Sequence, residues 1–299
     1  MDPLTIGYLS LLAIGIAIYS GIHVAIALST VSLFGVWAIT GKLKLAMSFV
    51  ALAATESIAS YTFGVVPLFV LMGIAGSESG LGRDTFTAIS AMTRNVRGGL
   101  GIATVLSNAV FAAITGISIA SAAVFAKVAV PEMVAAGYAR SVAVGVVAGS
   151  SVLGMLIPPS LLLIIYGLLA EVSIGSLFIA AIVPGILLAC AFSALILLLA
   201  RFFPEFTGEA APLAEYEAMS AAGIAGRLLP VVFIVFVVMG GIYGGVFAPT
   251  EAGAAGAFGA LIVGLARRKL NWKVMRSLAL ETGYITAGLL FLIIAANLY

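Results

Sequence analysis

Long apolar runs, interrupted at short intervals by glycine, proline and a few charges, occupy most of the chain from residue 4 to its last residue. A helix needs about 20 apolar residues to cross the hydrocarbon of a bilayer, and non-helical backbone is tolerated at that depth only where protein or a cavity shelters it. Residues 4–39 are too long for one crossing and are interrupted at Ser20-Gly21, which predicts two helices in a tight hairpin ended by Lys42 and Lys44. Residues 45–76 form a second block. It either crosses or enters and returns as a re-entrant hairpin, with Gly64 and Pro67 of GVVPLFVLMG (64–73) at the break.

Residues 77–97 carry Glu78, Arg83, Asp84, Arg94 and Arg97, with Leu81, Phe86, Ile89, Met92 and Val96 at helical spacing. That pattern predicts a helix lying in the interface. The run 98–130 has TGISIAS at its centre (115–121), 139–170 surrounds GMLIPPS (154–160), and 174–200 is a plain span ending at Arg201. Residues 201–227 hold Glu205, Glu209, Glu215, Glu217, Arg227, Pro204 and Pro212 and read as an exposed acidic linker. The runs 228–247 and 251–266 follow, separated by Ala248-Pro249-Thr250, and 277–299 is apolar to its end. Arg267, Arg268, Lys269, Lys273 and Arg276 form the strongest basic cluster, which the positive-inside rule places in the cytoplasm.

Composition turns these runs into a fold class. Of the 299 residues 63% are hydrophobic and 9% charged, against about 25% charged in soluble domains. Mean hydropathy is +1.26. Such a chain has too little charge to solvate an exterior, so the expected fold is all-α, a polytopic transmembrane bundle. The net charge of +2 gives no reason to expect a nucleic-acid partner, and membrane lipid is the expected surroundings. Cys190, the single cysteine, has no disulfide partner and reads as a small packing residue. Met1-Asp2-Pro3 precedes the first run without a basic n-region or a cleavage site, so the N-terminus is expected to stay.

An internal repeat organises the runs. An offset of 224 residues carries Ile18-Tyr19-Ser20-Gly21 onto Ile242-Tyr243-Gly244-Gly245, the Lys42/Lys44 end onto the Arg267 cluster, and Gly64 onto Gly288. Transporters often contain inverted repeats of this kind. The expected organisation is a first membrane repeat (1–200), an acidic linker (201–227) and the start of a second repeat (228–299). Second copies of 115–121 and 154–160 would fall beyond Tyr299, so the sequence reads as truncated at its C-terminus.

Candidate chemistry is sparse. One histidine, His23, leaves no paired zinc ligands and no HExxH, and the acids are scattered, so no catalytic residues are expected. His23 is expected to bond a neighbouring backbone group. Glu56 and Glu251 fit first-turn positions, where the helix dipole favours anions. In TGISIAS, Thr115, Gly116, Ser118 and Ser121 admit two readings. Small residues mediate close helix packing. Equally, freed carbonyls and hydroxyls of an unwound helix bind a hard cation such as Na⁺, with Ser151 as a further ligand. Pro158 and Pro159 remove two donors and disfavour helix at Ile157, so the second run breaks there, and with Ser160 they would shape a substrate end. No metal beyond Na⁺ and no other cofactor is expected. Lys127 and Arg140, the nearest basic residues to these motifs, are expected near helix ends.

These motifs carry a resemblance. GVVPLFVLMG, GLGIATVLSNAVFAAITGISIASA (99–122), SSVLGMLIPPSLLLIIYG (150–167) and GGIYGGVFAPTEAGA (240–254) occur in order along the chain. Together they resemble the DctM-like large membrane subunit of TRAP (tripartite ATP-independent periplasmic) transporters. The resemblance implies an elevator-type, Na⁺-coupled importer of small organic acids in a bacterial or archaeal cell (inner) membrane. It implies as partners a DctQ-like small membrane subunit and a DctP-like extracytoplasmic binding protein. Where that family commonly has two serines after the glycine matched by Gly116, this chain has Ile117 and then Ser118, so one possible sodium-site hydroxyl is absent. Two alternatives stay open: a non-transporting membrane scaffold, and a dicarboxylate/sodium symporter that works without a binding protein.

Overall fold

The computed structural model describes residues 3–59, 61–208 and 219–299, and every regular element among them is helical. In order these are α1 (Pro3–Tyr19), α2 (Val24–Thr40), α3 (Leu43–Ala59), a 3-10 turn (Tyr61–Gly64), α4 (Val65–Glu78) and α5 (Leu81–Thr93). There follow α6 (Gly99–Thr115), α7 (Ser118–Ala135), α8 (Arg140–Ser151), α9 (Leu153–Leu156), α10 (Leu161–Leu169) and α11 (Ile174–Phe202). The last are α12 (Pro204–Thr207), α13 (Ala221–Tyr243), α14 (Pro249–Ala266) and α15 (Trp272–Leu298). Among the described residues six helices are long and apolar enough to cross a membrane, or seven if Arg140–Leu156 and Leu161–Leu169 are one span bent by 41°. The chain is an all-α polytopic membrane protein. Met1, Asp2 and the linker residues Glu209, Pro212, Glu215 and Glu217 lie outside the described residues.

Contacts divide the chain into two compact units, Met1–Gly64 with Gly283–Tyr299, and Val65–Thr282. This partition reports packing, a different property from the repeat organisation expected above. In the first unit α1 and α2 form the predicted hairpin, turning at Gly21 in the left-handed region (φ 90°). His23 caps α2 by accepting the Ala25 N–H at its Nδ1 (3.4 Å), the local backbone bond expected of it. The repeat offset carries the end of α1 at Tyr19 onto the end of α13 at Tyr243, and left-handed Gly21 onto left-handed Gly245.

In the second unit α6 packs against α4, α5, α7, α8, α9, α11 and α13, and α4 pairs along its length with α14. In lipid no hydrophobic effect drives one helix onto another, so association rests on close packing and small residues. α14 presents Gly253, Gly256, Ala260 and Gly264 at helical spacing, and α4 lies along them. Phe69 fills the space where a Cβ of Gly253 would stand, Met72 does the same at Gly256, and the Ser79 hydroxyl lies within 3.3 Å of the Ala260 carbonyl. At one end of this pair Asp84 on α5 receives both Arg227 of α13 and Arg267, the residue that ends α14.

Four expectations change. The second apolar block is interrupted just before Pro67, not at it: α3 ends at Ala59, Gly64 ends the 3-10 turn that precedes α4, and Pro67 is the third residue of α4, where an N–H has no intrahelical acceptor to lose. Glu251 is a first-turn carboxylate, accepting the Ala248 N–H at 2.8 Å, but Glu56 lies in the last turn of α3 and is exposed. Of the apolar residues expected on an interfacial helix, Leu81, Phe86 and Ile89 are buried in the bundle and only Met92 and Val96 stay exposed. Cys190 faces outward from α11 instead of packing.

Candidate functional site

The helices α6 and α7 run antiparallel, which partner pairs along their length establish. Thr115 faces Ser121, the Phe111 and Phe125 rings meet edge to face with centroids 5.7 Å apart, and the Thr104 hydroxyl points at the Met133 sulfur. At the base the Tyr138 hydroxyl accepts the Gly101 N–H at 3.2 Å, and burial pushes that phenol above its ordinary pKa, keeping it protonated. TGISIAS is therefore the tip of a helical hairpin, where the sequence suggested an unwound helix.

The tip turns on two residues. Gly116 adopts the left-handed conformation (φ 58°), its N–H donating to the Ala112 carbonyl, and Ile117 is extended. The chain then re-enters helix at Ser118. Four helix-terminal groups at each end lack partners in their own helix. Those of α6 are carbonyls, carrying about half a negative charge, and those of α7 are amides, carrying about half a positive one. Ile117 supplies no side-chain cap to α7, so its first amides stay available.

The second broken helix meets this tip. Its first arm, α8 and α9, ends at Leu156; Ile157 is extended, the Pro158-Pro159 bond is cis, and Ser160 opens α10. The Leu161 N–H donates to the Gly116 carbonyl at 3.1 Å, joining the start of α10 directly to the tip. A Cβ on Gly116 would lie 2.9 Å from the Pro159 carbonyl oxygen, and one on Gly154 would lie 3.2 Å from the Ser118 nitrogen. Both glycines are where the two breaks interlock. Ile157 rests in turn against Gly185 of α11.

Sequence-predicted residues divide around this point. Thr115 and Ser121 are brought together, their hydroxyls 3.1 Å apart and almost fully buried, with Thr115 also reaching the Phe111 carbonyl. Gly116 and Ser118 belong to the same tip, and Ser118 is buried as the first residue of α7. Ser151 is buried three residues before Gly154, its hydroxyl donating to the Ala148 carbonyl at 2.7 Å. Pro158, Pro159 and Ser160 are buried within the chain. The Ser160 hydroxyl donates to the Met155 carbonyl at 2.6 Å and accepts the Leu163 N–H, so it acts as a cap. Arg140 opens α8, whereas Lys127 sits midway along α7 and is exposed, not near a helix end.

Two buried polar residues near the hairpin were not singled out from the sequence. Asn108 donates through Nδ2 to the Ser150 hydroxyl at 2.6 Å, tying α6 to α8, while its Oδ1 is buried without a partner. A lone Asn in an apolar run was the available signal. Chemically, the tip offers carbonyl and hydroxyl oxygens without a formal charge, a donor set for a hard monovalent cation. Among the described residues no group of three or more His, Cys, Asp or Glu could hold a metal ion.

The hairpin, the bent helix pair and the membrane-length apolar helices define a polytopic helical membrane protein. The chain belongs to the family described as the tripartite ATP-independent periplasmic transporter DctM component, whose model matches residues 9–299. It is 34% identical over 83% of its length to the C4-dicarboxylate TRAP transporter large permease protein DctM of Pseudomonas aeruginosa, covering 57% of that protein. It is 30% identical over its full length to the isethionate TRAP transporter permease protein DctMQ of Oleidesulfovibrio alaskensis, covering 46%. It is 32% identical over 93% of its length to the ectoine TRAP transporter large permease protein TeaC of Halomonas elongata, covering 64%. The chain thus spans about half the length of the curated relatives it matches. These relatives are named as permeases and carry no enzyme name.

Proposed function

We propose that this chain forms the hairpin-and-broken-helix portion of the large permease subunit of a sodium-coupled secondary transporter in a bacterial or archaeal cell (inner) membrane. The observation that supports this reading is the bond from Leu161 N–H to the Gly116 carbonyl. It sets the carbonyl end of α6, the uncapped amide end of α7 and the break before α10 at one buried point. Carriers use such paired half-helix ends to hold a cation on carbonyls and an anionic substrate on amides.

In this reading Na⁺ is held by hydroxyls of Thr115, Ser118 and Ser121 and by carbonyls at Gly116 and its neighbours, with Ser151 in support. Pro158, Pro159 and Ser160 shape the substrate end by fixing where α10 begins. The substrate is a small organic acid: relatives are named for C4-dicarboxylates, isethionate and ectoine. A DctP-like binding protein delivers it outside the membrane and a DctQ-like small subunit completes the membrane part; one relative is named DctMQ.

The test is uptake into proteoliposomes holding the full-length permease with its two partners. Replacing external Na⁺ by choline is expected to abolish uptake, and a Ser118→Ala, Ser121→Ala double variant to weaken its Na⁺ dependence. Uptake indifferent to Na⁺ removal ends the coupling claim.

A further inference from the structure

GVVPLFVLMG is a sequence motif that the proposed tip leaves unused, and its last residue reaches that tip. A Cβ on Gly73 would stand 2.6 Å from the Thr115 carbonyl oxygen, 3.0 Å from the Thr115 Cα and 3.2 Å from its carbonyl carbon. These are backbone atoms, which cannot rotate away as a side-chain end does. Only a residue without a Cβ lets α4 lie against this peptide group. Thr115 is the last residue of α6, so no donor within its own helix holds that carbonyl. The other face of the same α4 segment is fixed, because Phe69 and Met72 fill the spaces above Gly253 and Gly256 of α14. α4 therefore cannot back away when the Thr115 peptide is pushed.

We infer that Gly73 is a positioning residue for the tip: its bare α-carbon braces the Thr115 peptide so that its carbonyl and hydroxyl keep the orientation needed for cation binding. This rests on the sodium reading above. Gly76 supplies the control one turn along the same helix. A Cβ there would stand 2.7 Å from the Ile114 Cγ2 and 3.9 Å from the Leu81 Cδ1, side-chain atoms only, with no backbone atom of the tip against it.

The experiment is equilibrium binding of ²²Na⁺ to the purified full chain in detergent. Gly73→Ala is expected to raise the Kd for Na⁺ by about tenfold, the loss of one well-placed oxygen ligand, while Gly76→Ala stays within about twofold. A folded Gly73→Ala chain with wild-type Kd overturns the inference, as does an equal loss in both variants. A wild-type chain that binds no Na⁺ sinks instead the functional reading beneath it. If Gly73→Ala does not fold, backbone hydrogen exchange of the wild-type chain decides: Na⁺, compared with K⁺, is expected to slow exchange at 73–77 together with 112–121. Slowing at 112–121 with no change at 73–77 overturns the inference.

Discussion

Two of the helix pairs that turn through a left-handed glycine, α1–α2 and α6–α7, have opposite surroundings. In the α1–α2 hairpin Gly21 has nothing within 4 Å of a would-be Cβ, and the turn is exposed. In the α6–α7 hairpin Gly116 is enclosed by Pro159, Ser160 and Leu161, its carbonyl is taken by the Leu161 N–H, and paired hydroxyls lie beside it. A turn that only reverses the chain needs no such company. Backbone irregularity at a buried position needs protein partners for its polar groups, and here those partners leave an uncharged oxygen cluster at the meeting of two helix breaks.

Swapping both glycines breaks the comparison most strongly. Gly21→Ala carries the left-handed penalty of about 1–2 kcal/mol and nothing more. Gly116→Ala carries the same penalty plus a clash with the Pro159 carbonyl, and is expected to cost about 3 kcal/mol or more. Thermal unfolding of the two variants side by side measures the gap; equal losses would mean that the tip is not enclosed as described.

A smaller effect isolates the bond between the two breaks. Leu161 is the first residue of α10, where proline is tolerated and Ser160 before it is already extended (φ −114°, ψ 130°). Leu161→Pro removes the N–H that reaches Gly116, whereas Leu161→Ala removes only side chain. Their difference is expected to be about 1 kcal/mol, the net value of one hydrogen bond, readable as the difference in unfolding midpoint.

The smallest effect concerns the caps of the second helix in each hairpin. His23 caps α2 through a long bond, so His23→Ala is expected to cost a few tenths of a kcal/mol, while Ile117→Ser gives α7 a cap it lacks and stabilises by about 1 kcal/mol. No gain from Ile117→Ser would show that the α7 amides are already occupied.

Much of this was legible in the residues. Apolar run lengths located the spans, Ser20-Gly21 located the first hairpin, and Pro158-Pro159 located the second break, because missing donors act locally. The direction of the chain after Gly116 was not legible. A broken helix and a hairpin share one apolar pattern, and what separates them are distant pairs such as Thr104 with Met133 and Phe111 with Phe125. Pro67 lies inside the first turn of α4, where proline removes nothing the helix uses, and the interruption falls just before it, at Gly64. Gly73 was visible only as the end of a motif, because its significance lies in a carbonyl 42 residues away. The pairing of Thr115 with Ser121 could be expected once both were placed at one break.

The central claim is that the buried tip binds the coupling ion, and direct ²²Na⁺ binding to the purified chain with Thr115→Val and Ser121→Ala tests it most directly. The account predicts saturable Na⁺ binding in the wild type and a Kd raised about tenfold or more in each variant. Wild-type affinity retained in the Thr115→Val, Ser121→Ala double variant would contradict it.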